Sequence, residues 1–249
     1  MPNHKDIMNK ELFPTIILAG GLATRLRPMT EKIPKALIDM DGEPFIAHQL
    51  KLLRRNGVRQ VVMCIGYLGN MLEEFLGNGS QYDLEISYSY DGEKLLGTAG
   101  AIKKALPLLK QDNFFVLYGD SYLPCHYASV QNQFILQNKA VLMTVFLNEG
   151  RWDNSNVEFV NHSILAYDKI NRTSDMHYID YGLGVFSQSA FDNIFENEFF
   201  DLARLYQDLL KINQLAGCEI KQRFYEIGSF AGIEELRYYL AQGTLPLDA

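Results

Sequence analysis

No stretch of this chain approaches the roughly 18 consecutive apolar residues of a membrane-spanning helix, so no membrane partner is expected. Positive charge is in the minority: Lys+Arg 23 against Asp+Glu 30 leaves −7. A broad positive field of the kind that holds nucleic acid or an anionic membrane is therefore missing, and any anion must be bound locally. Cysteine is scarce, with only Cys64, Cys125 and Cys218, odd in number and scattered. They read as buried, reduced thiols of a cytoplasmic protein, not as a disulfide framework. The five histidines are scattered too, without HxxxH or CxxC spacing, and a zinc site is not expected. The start, "MPNHKDIMNKELFP", lacks the apolar core of a signal peptide and reads as a polar, frayed extension over 1–12. Repeats, low-complexity tracts and Ser/Pro linkers are also lacking, so 1–249 is read as one domain.

What is present alternates. "TIILAG" (15–20) is a continuous apolar run of the kind buried on both faces of a sheet, and "QVVMCIG" (60–66), "LEISYSY" (84–90) and "NFFVLYGD" (113–120) repeat it. Between them lie the helical "PFIAHQLKLLRRNG", with Pro44 near its start and Gly57 at its end, then "YLGNMLEEFLGNG" and "TAGAIKKALPLL". This order predicts an α/β fold, Rossmann-like, with a mixed, mainly parallel sheet and helices on both faces. In the second half "AVLMTVFL" (140–147), "NVEFV", "SILAYDK" and "IDYGLGVF" read as mixed or antiparallel strands with short polar connections. Helices near 200–212 and 231–241 bracket a strand-like "EIKQRFYEIG". Ligands of open α/β sheets sit beyond the carboxyl ends of the strands. Gly20/Gly21, Gly119/Asp120 and Glu226/Gly228 all follow strand ends and are expected to share one cleft.

The positive charge that an acidic chain does carry is gathered on "LAGGLATRLRPMTEKIPK", Leu18 to Lys35. Gly20 and Gly21 let backbone N–H groups close on phosphate oxygens. Arg25, Arg27, Lys32 and Lys35 bring four cations, Arg as a planar fork and Lys as a point charge. Pro28 and Pro34 keep the loop from becoming a helix. The spacing matches neither GxGxxG nor GxxxxGK[ST]. A bare basic loop with turn glycines is the plain alternative.

The same stretch closely resembles the signature of the sugar-1-phosphate nucleotidylyltransferases, with Gly20-Gly21 and Ala23 where many relatives carry G-x-G. The backbone shape is expected to survive that change. The resemblance continues through "GEKLLGTAGAI", "YGDSYL", "DNSNVEF", "YDK", "IDYG" and "YEIGS". It implies transfer of a nucleoside monophosphate from an NTP to a sugar 1-phosphate, with Mg²⁺ as cofactor, in nucleotide-sugar and cell-envelope polysaccharide synthesis. Residues 13–130 become the nucleotide-binding half and 131–249 the sugar-phosphate half.

Carried onto this sequence, the resemblance makes Arg25, Lys35 and Asp120 catalytic. Leu18, Ala19, Gly20, Gly21, Thr24, Gly97, Thr98 and Gly119 bind nucleotide, Thr98 being otherwise readable as an ordinary helix N-cap. Asp120 ends an apolar strand, where a carboxylate is costly unless paired or metal-bound. It is implied to be the first Mg²⁺ ligand, with Glu226 the second, although relatives commonly have Asp there. "YDK" looks like the family's acid–Lys pair, putting Lys169 at the sugar's phosphate. Asp180 and Gly182 of "IDYG" would line the sugar. The Trp152-Asp153 turn reads as structural, one aromatic packing on the sheet.

Two other readings stay open. A phosphocholine-type acceptor would need an anionic or aromatic pocket, which Tyr178, Asp180 and Tyr181 could supply. A non-catalytic nucleotide-sugar sensor would be expected to have lost signature groups, yet Arg25, Lys35 and Asp120 remain. Ala36 after Lys35, where thymidylyl-specific relatives place Gln, argues against dTTP. The aromatic content of 12% is compatible with a homodimer.

Overall fold

A computed structural model describes residues 11–92 and 94–243. The expected polar extension lies outside them up to residue 10. Leu12, which that reading included, is instead buried in the core beside Phe13.

The first strand, β1 (Thr15–Leu18), runs into the signature loop. Two short strands, β2 (Asp39–Met40) and β3 (Glu43–Pro44), make a small ribbon before helix α1 (Phe45–Asn56). Then come β4 (Gln60–Ile65), α2 (Gly69–Leu76), β5 (Glu85–Tyr90), α3 (Gly97–Ala105) and β6 (Asn113–Tyr118). The strand β7 (Ser121–Tyr122) follows, then α4 (Tyr127–Gln137), β8 (Val141–Leu147), β9 (Val157–Val160), β10 (Ser163–Tyr167) and β11 (Tyr178–Ser187). The last elements are α5 (Leu202–Lys211), β12 (Leu215–Glu219), β13 (Tyr225–Glu226) and α6 (Phe230–Ala241).

β5, β4, β1 and β6 lie side by side and parallel, and β11 joins β6 antiparallel. β8 pairs β11 antiparallel and β12 parallel, while β9 and β10 form a further antiparallel pair. The sheet is thus mixed and mainly parallel at its centre, as the alternation predicts. Successive side chains of a strand point to opposite faces. Ile17, Met63 and Phe115 accordingly join Leu50, Leu72 and Phe134 of α1, α2 and α4 on one face. Ile16, Val62 and Phe114 join Ile102 and Leu205 of α3 and α5 on the other. A third, smaller cluster packs Leu26 of the signature loop and Ile38 just after it against Ile233 and Leu236 of α6.

Two elements differ from the expectation. α4 was not anticipated, because one of its four buried positions is polar. Gln131 lies with Tyr127, Val130 and Phe134 on the inward face. Its Oε1 accepts from Phe13 N at 2.9 Å and its Nε2 donates to Glu11 O at 3.2 Å. A buried amide tying down the chain ahead of β1 breaks the apolar period on which helix recognition rests. The strand expected in 219–228 is two strands, β12 ending at Glu219 and β13 starting at Tyr225, with an irregular link between them.

Candidate functional site

The chain continues from β1 to β4 on one side, whereas β6 lies on its other side and leads on to β11, so the connections beyond their carboxyl ends part and leave a crevice there. The backbone is drawn tight there. Gly119 N donates to Leu18 O at 2.9 Å and Ala19 N donates to Cys64 O at 2.8 Å. A Cβ on Gly119 would stand 2.6 Å from Leu18 O, so only glycine lets β6 approach β1 this closely. The signature loop then folds into short 3₁₀ turns over Thr24–Leu26, Met29–Glu31 and Lys35–Leu37. Ala23 takes a left-handed conformation (φ 48, ψ 41), so the backbone shape expected of a glycine there is kept. Thr30 Oγ1 donates to Ala23 O at 2.8 Å and holds it.

The crevice has two compartments. The inner recess, about 290 Å³, is lined by Leu18, Ala19, Gly20 and Gly21 on one side and by Gly97 and Thr98 on the other, with Gly119 and Cys64 between. The outer chamber, about 1040 Å³, holds Thr24, Arg25, Lys169, Asp180, Gly182 and Glu226. Ala23, Lys35, Tyr118 and Asp120 line both. The site residues expected from sequence are therefore assembled in one cleft. Of the four loop cations, Arg25 and Lys35 face it, while Arg27 and Lys32 are exposed outside it.

At the shared wall Lys35 Nζ stands 2.8 Å from Asp120 Oδ2, and Ser121 Oγ donates to Asp120 Oδ1 at 3.2 Å. Glu226 reaches the same place by strand pairing. β13 pairs β7 with Glu226 opposite Ser121, and Ile227 N donates to Asp120 O at 2.9 Å. One Glu226 oxygen accepts from Gly228 N and the other from Ser229 Oγ, which fixes the carboxylate's direction. Lys35 Nζ and Glu226 Oε2 both lie within 4 Å of the point where a Cβ on Gly228 would be. No group of three or more His, Cys, Asp or Glu side chains among the described residues could hold a metal by itself. Two carboxylates with a hydroxyl beside them do fit Mg²⁺, which is usually held by one or two carboxylates while waters and substrate phosphates complete its shell.

Asp180 is the unusual carboxylate. Gly182, at φ 97, bulges β11 so that its N–H meets Asp180 Oδ1 at 3.0 Å, while Oδ2 is sealed from solvent without a hydrogen-bond partner among the described residues. Burial pushes this carboxyl above the usual carboxylate range, opposed by Lys169 and the Gly182 N–H. Lys169 Nζ lies 5.5 Å from the centre of the Tyr118 ring. Of the acid and lysine in "YDK", Asp168 turns back onto Ile170 N and Asn171 N at 2.7 and 2.9 Å, while the charge of Lys169 acts on Asp180.

Thr98, which could also be read as the N-cap of its own helix, instead serves a different one. Its Oγ1 accepts from Leu202 N at 2.7 Å, at the start of α5. Two of the first four N–H groups of α3, those of Ala99 and Gly100, go to Phe200 O at 2.8 and 3.0 Å. Segment 199–201 thus closes the inner recess. Neither it nor Asp91, a recess-lining carboxyl that burial also raises, carried a sequence signal. Trp152 does pack on the sheet through Phe146, at 5.6 Å, but it also lines the outer chamber under Arg223. Arg151, Arg172 and Arg223 were missed for the same reason: they come from three separate loops with no motif around them.

Residues 14–159 match the nucleotidyl transferase family model. The N-acetylmuramate alpha-1-phosphate uridylyltransferase of Neisseria meningitidis is 28% identical over 224 residues, 88% of this chain and 95% of that protein. The D-glycero-alpha-D-manno-heptose 1-phosphate guanylyltransferase of Campylobacter jejuni is 26% identical over 86% of this chain and 93% of its own. In fold, the crystal structure of HddC from Yersinia pseudotuberculosis complexed with GMP-PN superposes with a TM-score of 0.78 at 20% identity, over 92% of this chain and all of that one. With the signature loop, the paired Lys35 and Asp120 and these relatives in agreement, the chain belongs to the nucleotidyl transferase family, as one of its sugar-1-phosphate nucleotidylyltransferases.

Proposed function

We propose that the inner recess takes the nucleoside of an NTP, that the outer chamber takes the sugar 1-phosphate, and that transfer occurs at the wall between them. The observation that carries this reading is the position of Lys35 and Asp120, which line both compartments. An oxygen of the sugar 1-phosphate attacks the α-phosphorus in line, and the bond to pyrophosphate breaks. Both partners are anions, so the protein's work is to position them and offset charge. The Gly20–Gly21 amides and Arg25 hold the β- and γ-phosphates and stabilise the leaving pyrophosphate. Lys35 stabilises the negative charge gathering on the α-phosphate. Lys169 orients the attacking phosphate, and Asp180 and Gly182 line the sugar's place beside it. A sugar phosphate is already ionised near neutral pH, so no general base is needed.

Asp120 and Glu226 would hold Mg²⁺. When bound, the ion neutralises phosphate charge and aligns the phosphates for displacement. A cationic acceptor such as phosphocholine is disfavoured by an outer chamber that holds Lys169, Arg151, Arg172 and Arg223.

The test is pyrophosphate release by the purified protein with Mg²⁺, across four NTPs and dTTP and a panel of sugar 1-phosphates and phosphocholine. Release that requires one sugar 1-phosphate and one NTP is expected. Release with phosphocholine alone, or NTP binding without turnover on any acceptor, would overturn the reading.

A further inference from the structure

The glycines of α3 on either side of Thr98 make room for a segment 100 residues further on. Gly97 has a left-handed backbone (φ 70), and a Cβ there would stand 2.7 Å from Phe200 O. A Cβ on Gly100 would collide with Glu198 O. Both positions are bare, and segment 198–200 presses against the start of the helix. It is then pinned. Phe200 N donates to Leu96 O at 2.9 Å, Phe200 O takes two N–H groups of α3, and Leu202 N is held by Thr98 Oγ1.

A pinned backbone aims its side chains. Phe200 is half-buried against the core cluster of α3 and α5, with the Arg204 guanidinium carbon 4.7 Å from its ring centre. Phe199, the residue before it, lines the inner recess, yet 63% of it is exposed. A single exposed apolar side chain is ordinary on a protein surface. This one differs in standing on fixed backbone at the edge of a recess. Burial of its ring is an energy still to be gained when a flat ligand enters.

The lining says which part of a ligand meets it. Ala23, Lys35, Tyr118 and Asp120 form the wall shared with the outer chamber, where the reading above puts the reacting phosphates. Phe199 lines the recess alone, together with the apolar Leu95 and Ala101. The other ring in the recess, that of Tyr118, lies on the shared wall with Lys169 Nζ 5.5 Å from its centre. An NTP whose phosphates reach that wall leaves its base for the part of the recess that Phe199 lines.

We propose that Phe199 is a base-stacking residue, its ring lying against one face of the nucleobase and holding the NTP in the recess. This rests on the reading of the inner recess as the nucleoside site and adds a positioning residue to it. Every base has a π-face, so stacking strengthens the binding of whichever NTP enters and leaves the choice of base to other groups.

The test compares NTPs with inorganic tripolyphosphate, the same run of phosphates without a base. Calorimetric Kd values for both, with Mg²⁺, are measured on the parent and on Phe199→Ala, Phe199→Leu and Phe199→Tyr, with the Tm of each. The parent is expected to bind at least one NTP more tightly than tripolyphosphate. Phe199→Ala should weaken that NTP about tenfold or more and leave tripolyphosphate unchanged, and in turnover the loss should fall on the KM for NTP and not on that for the acceptor. Phe199→Tyr should bind like the parent. Phe199→Leu, which keeps apolar bulk without a π-face and guards against a folding defect in the alanine variant, should bind like alanine. Unchanged NTP affinity in the alanine variant, parent-like affinity in the leucine variant, or equal weakening of NTP and tripolyphosphate would overturn the proposal and leave the recess reading intact. A parent that binds every NTP no better than tripolyphosphate would overturn both.

Discussion

Lys35 Nζ and Asp120 Oδ2 are 2.8 Å apart, 85 residues distant in sequence, at the wall shared by the inner recess and the outer chamber. The lysine is partly buried, with 19% of its side chain exposed, and the carboxylate is more open at 38%, so the pair contributes little to stability. Lys35→Ala should therefore lower kcat by about 10²–10³-fold while the thermal unfolding curve stays close to that of the parent. Near-normal kcat in the folded variant would remove Lys35 from the chemistry.

The two carboxylates should be separable by metal titration. Asp120 is anchored by one side-chain hydroxyl besides Lys35, whereas both oxygens of Glu226 already accept hydrogen bonds. Asp120→Asn should raise the Mg²⁺ concentration for half-maximal activity by more than Glu226→Gln does, each shift being about tenfold or larger. Pyrophosphate release followed against Mg²⁺ gives the order directly. Unchanged Mg²⁺ dependence in both variants would put the metal elsewhere.

Asp180 should trade stability against activity. Its raised pKa means that, above the unfolded value near 4 and up to the folded value, the folded chain holds a proton the unfolded chain has released. Stability falls as pH rises through that window, so above the unfolded value the folded state bears the cost of burying this group. Asp180→Asn keeps an Oδ1 for the Gly182 N–H and removes the charge. Its Tm should rise by about 2–4 °C at pH 7, the gain fading below about pH 4, while kcat/KM for the acceptor drops about tenfold. A gain that persisted in acid would have another source.

At residue 23 the loop keeps an alanine in left-handed backbone, a conformation glycine adopts without steric cost. Ala23→Gly should be neutral or stabilising by about 0.5–1 kcal/mol, with turnover retained. Calorimetry and a steady-state assay check both. A destabilised variant would mean that the alanine methyl packs usefully against the cleft wall.

The parallel half and its loop were legible because their signals are local. An apolar run, glycines at the turn and a dense cation cluster all fall within twenty residues of one another, and each belongs to one element. The acceptor half was less so. Arg223 becomes a chamber residue only because Trp152 and Tyr225, 73 positions apart in the chain, enclose it. Asp168 stands next to Lys169 in sequence, but a tight turn claims it, and the carboxyl that feels the charge of Lys169 is Asp180, eleven positions on. Helix α4 was hidden by a buried glutamine whose value lies in the backbone it satisfies. Long-range pairing and buried polar satisfaction leave no periodic trace in a sequence.

The two-residue pairing of β7 with β13 also sets an order of assembly. Most of the inner recess, from the loop after β1 to the Gly119–Asp120 corner, comes from the first 120 residues, but segment 199–201, which closes it, and the second carboxylate at residue 226 come late in the chain. A ribosome making this chain would release the signature loop long before the segments that complete the recess and then the shared wall. The cleft is thus whole only after the C-terminal segment has docked.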